Sequence, residues 1–217
     1  MPKSQGTAVL FGGTFDPPHR GHLAVIQGLR QHTGLPVMVV PTGVPGHRER
    51  PGASPRARLK MMELAVRGLA DPCVTVDSSE VERCQPSFTI DTVERLRRED
   101  PKIELVLAMG MDVAERLPSW RQVGSLLGQV RLLVFRRAGV ERAGPALLEE
   151  LGRQGLPLAG AEVISLPTPE VDGTAIRRRV AAGEDCTELL PPAVYRYIRS
   201  HGIYGSKPAR GSASSAG

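Results

Sequence analysis

The sequence predicts an α/β protein: a doubly wound, Rossmann-like parallel sheet with helices on both faces, in a single domain. Three observations carry this expectation. Short β-branched runs alternate with longer helical stretches along the 217 residues. Several runs, VMVV, ELVLAM and RLLVF, are apolar almost throughout, as strands buried on both faces of a parallel sheet are. The length suits one α/β domain or two small ones, and no internal repeat divides it.

Strands are expected over Thr7–Gly13, 37–42, 74–77, 103–109, 130–136 and Glu162–Leu166, each bounded by turn residues. Between them, Ser54 reads as an N-cap and Pro55 as the first turn of an amphipathic helix through RLKMMELAVRGLA. The stretch Thr89–Glu99 puts Ile90, Val93 and Leu96 on one helical face. Residues 191–201 carry Val194, Tyr195 and Ile198 at helical spacing, with Gly202 as a stop. Strands alternating with helices imply right-handed βαβ connections. The folded domain is expected over residues 1–205, and the Ser-, Gly- and Ala-rich tail 206–217 is expected to be disordered.

Hydrophobic residues make up 41% and charged residues 24%, ordinary for a folded protein, whereas only 4% are aromatic, so the core must rest on Leu, Val, Ile and Ala. The formal charge of +5 and pI of about 9.5 favour acidic partners without naming one. An Arg-rich solvated surface accounts equally well for most of these charges. Few aromatics and no nucleic-acid-binding module speak against a nucleic-acid partner. Cys73, Cys84 and Cys186 are odd in number and show no CxxC spacing, so neither a disulfide framework nor a metal site is expected. The N-terminal apolar run is too short to span a membrane and lacks a signal-peptide pattern. The expected setting is cytoplasmic, with no membrane partner.

The chemistry concentrates after the first strand, in Gly12-Gly13-Thr14-Phe15-Asp16-Pro17-Pro18-His19-Arg20-Gly21-His22. Ligands of a doubly wound sheet bind beyond the carboxyl ends of its strands. Gly12 and Gly13 lie at that end and admit close approach of a ligand or another backbone. Asp16 followed by two prolines reads as a helix cap and entry. His19 and His22, three apart, then share one face of the first helical turn. That terminus already attracts anions through its N–H groups and dipole, and two imidazoles there make a phosphate site. Gly21 leaves room beside them for an adenine or its ribose. Neither a P-loop nor a GxGxxG fingerprint is present, and no further ligands nearby suit a zinc ion.

GGTFDPPHRGHL resembles the signature of the nucleotidyltransferase superfamily with the HxGH motif, and more narrowly that of bacterial nicotinate-nucleotide adenylyltransferases. Five further segments resemble that family in the same order over residues 7–204: PTGVPGHRE (41–49), RLKMMELA (58–65), QPSFTIDT (85–92), GMDVAERLPSW (110–120) and GTAIRRRV (173–180). The resemblance implies transfer of AMP from ATP to nicotinate mononucleotide, giving nicotinate adenine dinucleotide and pyrophosphate in NAD biosynthesis. It implies Mg²⁺ carried by ATP. His19 and His22 would bind the ATP phosphates and stabilise transition-state charge. Gly12, Gly13, Thr14, Phe15 and Gly110 would line the nucleotide pocket, and Asp112 would hydrogen-bond a ribose. Thr174, Ile176 and Arg177 would hold the β- and γ-phosphates at a late helix N-terminus. On the acceptor side, Trp120 would stack on the pyridine ring and Thr89 would face its carboxylate or carboxamide. His47 and Arg48 would approach the acceptor phosphate, and Thr42 and Arg137 complete that side.

The chain departs from the family pattern in four places. Pro45-Gly46-His47-Arg48 stands for Pro-Pro-His-Lys, and Gly110-Met111-Asp112 for Gly-Ala-Asp. Gln85-Pro86-Ser87-Phe88-Thr89 stands for Gly-Pro-Ser-Tyr-Thr. Asp172 and Gly173 replace two serines before Thr174, where Asp would cap the helix as Ser does and Gly would expose backbone N–H groups. Nicotinamide mononucleotide and phosphopantetheine remain alternative acceptors, although Pro17-Pro18-His19 and the LPxW block speak against the second. A nucleotide sensor is a further alternative, disfavoured by the intact His19 and His22. Self-association is left open.

Overall fold

The computed structural model describes residues 6–45, 51–83, 85–137 and 144–205, with the side chains of Pro45 and Arg137 outside that description. The chain begins with β1 (Thr7–Gly13), α1 (Arg20–Thr33), β2 (Val37–Pro41), β3 (Val44–Pro45) and α2 (Pro55–Arg67). It continues through β4 (Val74–Val76), α3 (Ser79–Glu82), β5 (Pro86–Ser87), α4 (Thr89–Glu99) and β6 (Glu104–Gly110). Next come α5 (Met111–Ala114), a single 3₁₀ turn at Leu117–Ser119, α6 (Val123–Leu127), β7 (Arg131–Arg137) and α7 (Gly144–Arg153). The described chain ends with β8 (Glu162–Leu166), α8 (Gly173–Ala181), α9 (Pro192–Ser200) and a tight turn at Ile203–Gly205.

Six strands form one parallel sheet in the order β4-β2-β1-β6-β7-β8. The expected doubly wound sheet is therefore present. The order turns back between β1 and β6, which opens a crevice beyond the carboxyl ends of those two strands. Strand β1 shows why both faces are covered. Val9 and Phe11 point into a cluster with residues of α1, α2, α8 and α9, such as Ile26, Met61, Ile176 and Val194. Ala8 and Leu10 point the other way, into a cluster with α4 to α7 residues such as Val93, Ala114, Leu126 and Leu151. Alternation of side chains along each strand divides the core into these two layers.

The strands over Thr7–Gly13 and Glu162–Leu166 and the helix over Thr89–Glu99 coincide with expectation. The other strands shift by a residue or end one short, and the helix from Pro191 begins at Pro192. The tail 206–217 lies outside the described residues. A second, two-stranded parallel sheet, β3 with β5, was not expected. Each of its strands is only two residues long, too short for periodicity to reveal.

The first helix does not start as the sequence suggested. Asp16 does not cap it: His19 does, in extended conformation, and the Asp16-Pro17 bond is cis. Asp16 instead faces away to the segment before α2. Its carboxylate accepts from the N–H groups of Gly52 at 2.7 Å and Ala53 at 3.1 Å and from the Tyr204 hydroxyl at 2.6 Å. Tyr204 adopts φ 60°, a strained conformation for a residue with a Cβ, and its hydrogen bond to Asp16 offsets that cost. Burial and the Asp16 carboxylate push the Tyr204 hydroxyl far above its usual pKa, so it remains a donor.

Beside Asp16 lies Arg58 of α2, a fully buried cation. It donates to the carbonyls of Thr14 and Gly43, both at 2.7 Å. Burial lowers its pKa, while Asp16 and Tyr204 oppose the shift. The guanidinium thereby ties the loop after β1 to the loop after β2. Arg58→Ala strands two carbonyls but also relieves a desolvated charge, so a net loss of about 2 kcal/mol is expected in urea denaturation. A loss below about 0.5 kcal/mol would mean that other donors replace the guanidinium at both carbonyls.

Candidate active site

A cavity of about 890 Å³ opens at the crevice between β1 and β6. That volume lies within the range of small-molecule sites, about 300–1,000 Å³. Of the residues singled out in the sequence, Gly12, Gly13, Thr14, Phe15, His19, His22, Thr42, Thr89, Gly110, Asp112, Trp120, Thr174 and Arg177 all line it. The fold thus gathers residues from β1, α1, α4, β6, α5 and α8 around one space. Ile176 does not reach it: its side chain is fully buried in the core, under the helix whose start faces the cavity. Arg137 ends β7, but nothing is described of its side chain, and His47 and Arg48 lie outside the described residues.

His19 and His22 are locked to each other. The His22 N–H donates to His19 Nδ1 at 3.3 Å and the His19 N–H donates to His22 Nδ1 at 3.2 Å, a reciprocal capping box built from two imidazoles. The rings stack with centroids 3.7 Å apart. Because each Nδ1 accepts a backbone N–H, each neutral ring carries its proton on Nε2 and is a donor there. Gly21 permits the stack: a Cβ at that position would sit 3.0 Å from the His19 ring. Gly21 also lines the cavity, beside the two rings.

Phe15 buttresses the pair. Its ring meets His22 edge-on at 5.0 Å and Phe11 at 5.6 Å. Gly13 makes room for it, since a Cβ there would stand 2.8 Å from the Phe15 ring. The second glycine of the motif therefore admits part of the chain itself, while Gly12 stays open, with nothing nearer than a carbonyl at 3.9 Å.

At α8, Asp172 is the N-cap, as its replacement of serine suggested. Its carboxylate accepts from the N–H groups of Thr174 and Ala175, each at 3.0 Å. The Thr174 hydrogen bond, the largest cause, holds the carboxyl below its usual pKa despite partial desolvation, with Ala175, Arg177 and His19 adding to it. Arg177 donates to the Asp16 carbonyl at 2.8 Å and to the Thr174 hydroxyl at 3.1 Å, so the start of α8 is fastened to the β1 loop.

Across the crevice, the segment β5–α4 is shaped by Glu80, which sequence reasoning missed. This carboxylate is only 6% exposed and lines the cavity. It accepts from the Thr92 hydroxyl at 2.8 Å, and Ser87, whose Oγ accepts from the Gly43 N–H at 3.1 Å, also bonds it. Burial raises its pKa, and the hydroxyl donors oppose that rise. Glu80 so ties Ser87 of β5 to Thr92 of α4, on either side of Phe88 and Thr89. A lone Glu in a short helix gave no signal of burial. Arg121, also missed, lines the cavity with its guanidinium carbon 4.8 Å from the Phe88 ring centroid. It follows Trp120, which half-buries its ring against the α4–α7 layer while lining the cavity.

Among the described residues no group of three or more His, Cys, Asp or Glu side chains could hold a metal ion. Cys73 and Cys186 are free thiols, and Cys84 lies outside the described residues. No helix of the described chain is long and apolar enough to cross a membrane.

Known proteins resemble this chain in sequence and in fold. A family model described as cytidylyltransferase-like matches residues 10–179. A protein named probable nicotinate-nucleotide adenylyltransferase from Yersinia pestis (strain Pestoides F) is 40% identical over 208 residues, covering 90% of this chain and 94% of its own. Its namesake from Yersinia enterocolitica is 41% identical, covering 94% and 99%. Among solved structures, Plasmodium falciparum nicotinic acid mononucleotide adenylyltransferase, complexed with NaAD, superposes with a TM-score of 0.76 at 15% identity, covering 92% of this chain and 98% of that one. At that identity the superposition speaks for the fold, and the bacterial relatives speak for the family. The chain belongs to the cytidylyltransferase-like family, within its branch of nicotinate-nucleotide adenylyltransferases.

Proposed function

We propose that the protein transfers AMP from ATP to nicotinate mononucleotide, releasing pyrophosphate and forming nicotinate adenine dinucleotide. The observation that carries this reading is the crossed His19–His22 cap at the wall of the crevice, two imidazole donors fixed at a helix start. An oxygen of the acceptor phosphate attacks the α-phosphorus in line. A new P–O bond forms there as the bond to the bridging α,β-oxygen breaks, and the electron pair leaves with pyrophosphate. The acceptor is its own nucleophile, so the chain need supply only position and charge stabilisation.

The roles follow from position. His19 and His22 donate from Nε2 to the phosphate oxygens, where negative charge grows. Gly12 and Thr14 admit the nucleotide beside β1, with Phe15 holding His22 in place. Gly110 and Asp112 receive the ribose at the end of β6. Thr174 and Arg177 meet the terminal phosphates, and Ile176 serves by anchoring α8 in the core. Trp120, Thr89 and Thr42 form the acceptor side, to which we also assign His47, Arg48 and Arg137. Divalent Mg²⁺ riding on ATP would offset triphosphate charge, and an ion held by phosphate and water suits a site that gathers hydroxyls, imidazoles and amides. The setting we infer is the cytoplasm, where ATP is at hand.

Asp172 modifies this picture. Its carboxylate already occupies two N–H groups of the α8 terminus that a phosphate would use, and it brings negative charge. Replacing it with Ser leaves a one-oxygen neutral cap.

The first test is an end-point assay with ATP, Mg²⁺ and, separately, nicotinate or nicotinamide mononucleotide. Dinucleotide and pyrophosphate in equal amounts from the acid support the reading, and no product from either acceptor overturns it. His22→Ala is expected to lower kcat by on the order of 10², the loss typical of one transition-state donor. An unchanged kcat in a folded variant would remove His22 from the mechanism. Asp172→Ser is expected to lower KM for ATP about twofold to fivefold, the scale of one charge at a helix terminus, with kcat retained. A raised KM would make the carboxylate an aid to binding. The cap also has a pH signature. A carboxyl whose folded pKa is depressed stabilises fully above its unfolded value and loses that contribution as pH falls through the folded one. Asp172→Asn keeps a capping oxygen and removes the charge, so it should cost a few tenths of a kcal/mol in urea denaturation at pH 7, a deficit that shrinks as pH falls below the usual carboxylate range.

A further inference from the structure

The two core layers fix the polarity of the cavity. Phe15, against which His22 packs, belongs to the layer of α1, α2, α8 and α9. Phe88 and Trp120 pack against the opposite layer, that of α4 to α7. The cavity therefore crosses the edge of the sheet, with the histidines at one end and an aromatic pair at the other. In the proposed reaction the acceptor phosphate attacks ATP and must lie at the histidine end. What reaches the aromatic end is the acceptor's non-reacting ring.

Two arginines line the cavity among the described residues. Arg177 is already engaged with the Asp16 carbonyl and the Thr174 hydroxyl. Arg121 is exposed and stands over Phe88, and no carboxylate pairs with it among the described residues. A second charged group at this end, Glu80, is absorbed by the hydroxyls of Thr92 and Ser87. A guanidinium stacked on an aromatic ring keeps its edge donors available, in the fork that fits a carboxylate bidentately.

We propose that Arg121 reads the carboxylate on the acceptor's ring and sets the preference for an acidic over an amide mononucleotide. This rests on the function proposed above and adds a specificity determinant to it. The acid gains a charge-assisted pair that a neutral carboxamide cannot return, while the phosphate and ribose contacts are common to both acceptors.

The test compares wild type, Arg121→Gln and Arg121→Lys with nicotinate mononucleotide, nicotinamide mononucleotide and varied ATP. Gln removes the charge and keeps much of the length, and the exposed site makes misfolding a minor concern, checked by thermal melting. Arg121→Gln is expected to lower kcat/KM for the acid about tenfold to a hundredfold, mainly through KM, the effect of losing one charge-assisted hydrogen bond. The amide reaction and KM for ATP should be unchanged, and Lys should recover part of the acid reaction. Equal losses with both acceptors would assign Arg121 to the shared phosphate or to support of Phe88, and no loss with the acid would show it to be solvated; either overturns the proposal. Wild type inactive with both acceptors would overturn the reaction itself, which sets that failure apart from the failure of Arg121.

Discussion

Arg58 reaches from α2 to two carbonyls that follow different strands, Thr14 after β1 and Gly43 after β2. Those loops form adjoining parts of the cavity wall, and a fully buried cation between them leaves little freedom in their spacing. Asp16 extends the hold. It gathers the amides of Gly52 and Ala53 and the Tyr204 hydroxyl, while Arg177 binds its carbonyl. The chain before α2, the start of α8 and the turn after α9 thus converge on the loop that leads to the histidines. Burying such charges is costly and is repaid only when nearly every donor and acceptor is paired. The geometry of the cavity and the satisfaction of this network are consequently one problem.

The two-layered core explains how the crevice acquires unlike ends. Strand alternation sends Phe11 toward α1 and Leu10 toward α4, so elements on either side of the sheet reach its carboxyl edge independently. One side contributes imidazoles and a helix start. The other contributes aromatic rings, hydroxyls and a guanidinium. A ligand with a polyphosphate and an aromatic ring has two chemistries to satisfy, and this architecture offers both within one cavity.

Much of this was legible before folding was considered. Unbroken apolar runs such as ELVLAM can be buried on both faces only in a covered sheet, and β6 is such a strand. Ser54-Pro55 signalled a helix start because cap chemistry is local, and Ser54 caps α2 through the Ala57 N–H. The glycine-ended β1 followed by paired histidines likewise announced a ligand edge. Asp16 misled because the residue before two prolines looked like a cap, whereas its real partners lie 36 to 188 positions away in sequence. Arg58 and Glu80 were invisible for the same reason. A charged residue on an amphipathic helix reads as solvated until tertiary contacts bury it. Ile176 shows the reverse: proximity to Thr174 and Arg177 in sequence placed it at the site, but one helical step turns it into the core.

The crossed histidine cap has a consequence for stability. Where an active site is strained, replacing its functional groups stabilises the scaffold. Here the imidazoles proposed to meet phosphate also begin α1 and close its first amides. Replacing either with alanine forfeits one of the two hydrogen bonds that close this terminus, a cost of about 1 kcal/mol in a molecule whose total margin is about 5–15 kcal/mol. A variant that loses the cap is therefore also a weaker folder, more exposed to proteolysis. The histidine pair thus serves the fold as well as the role proposed for it.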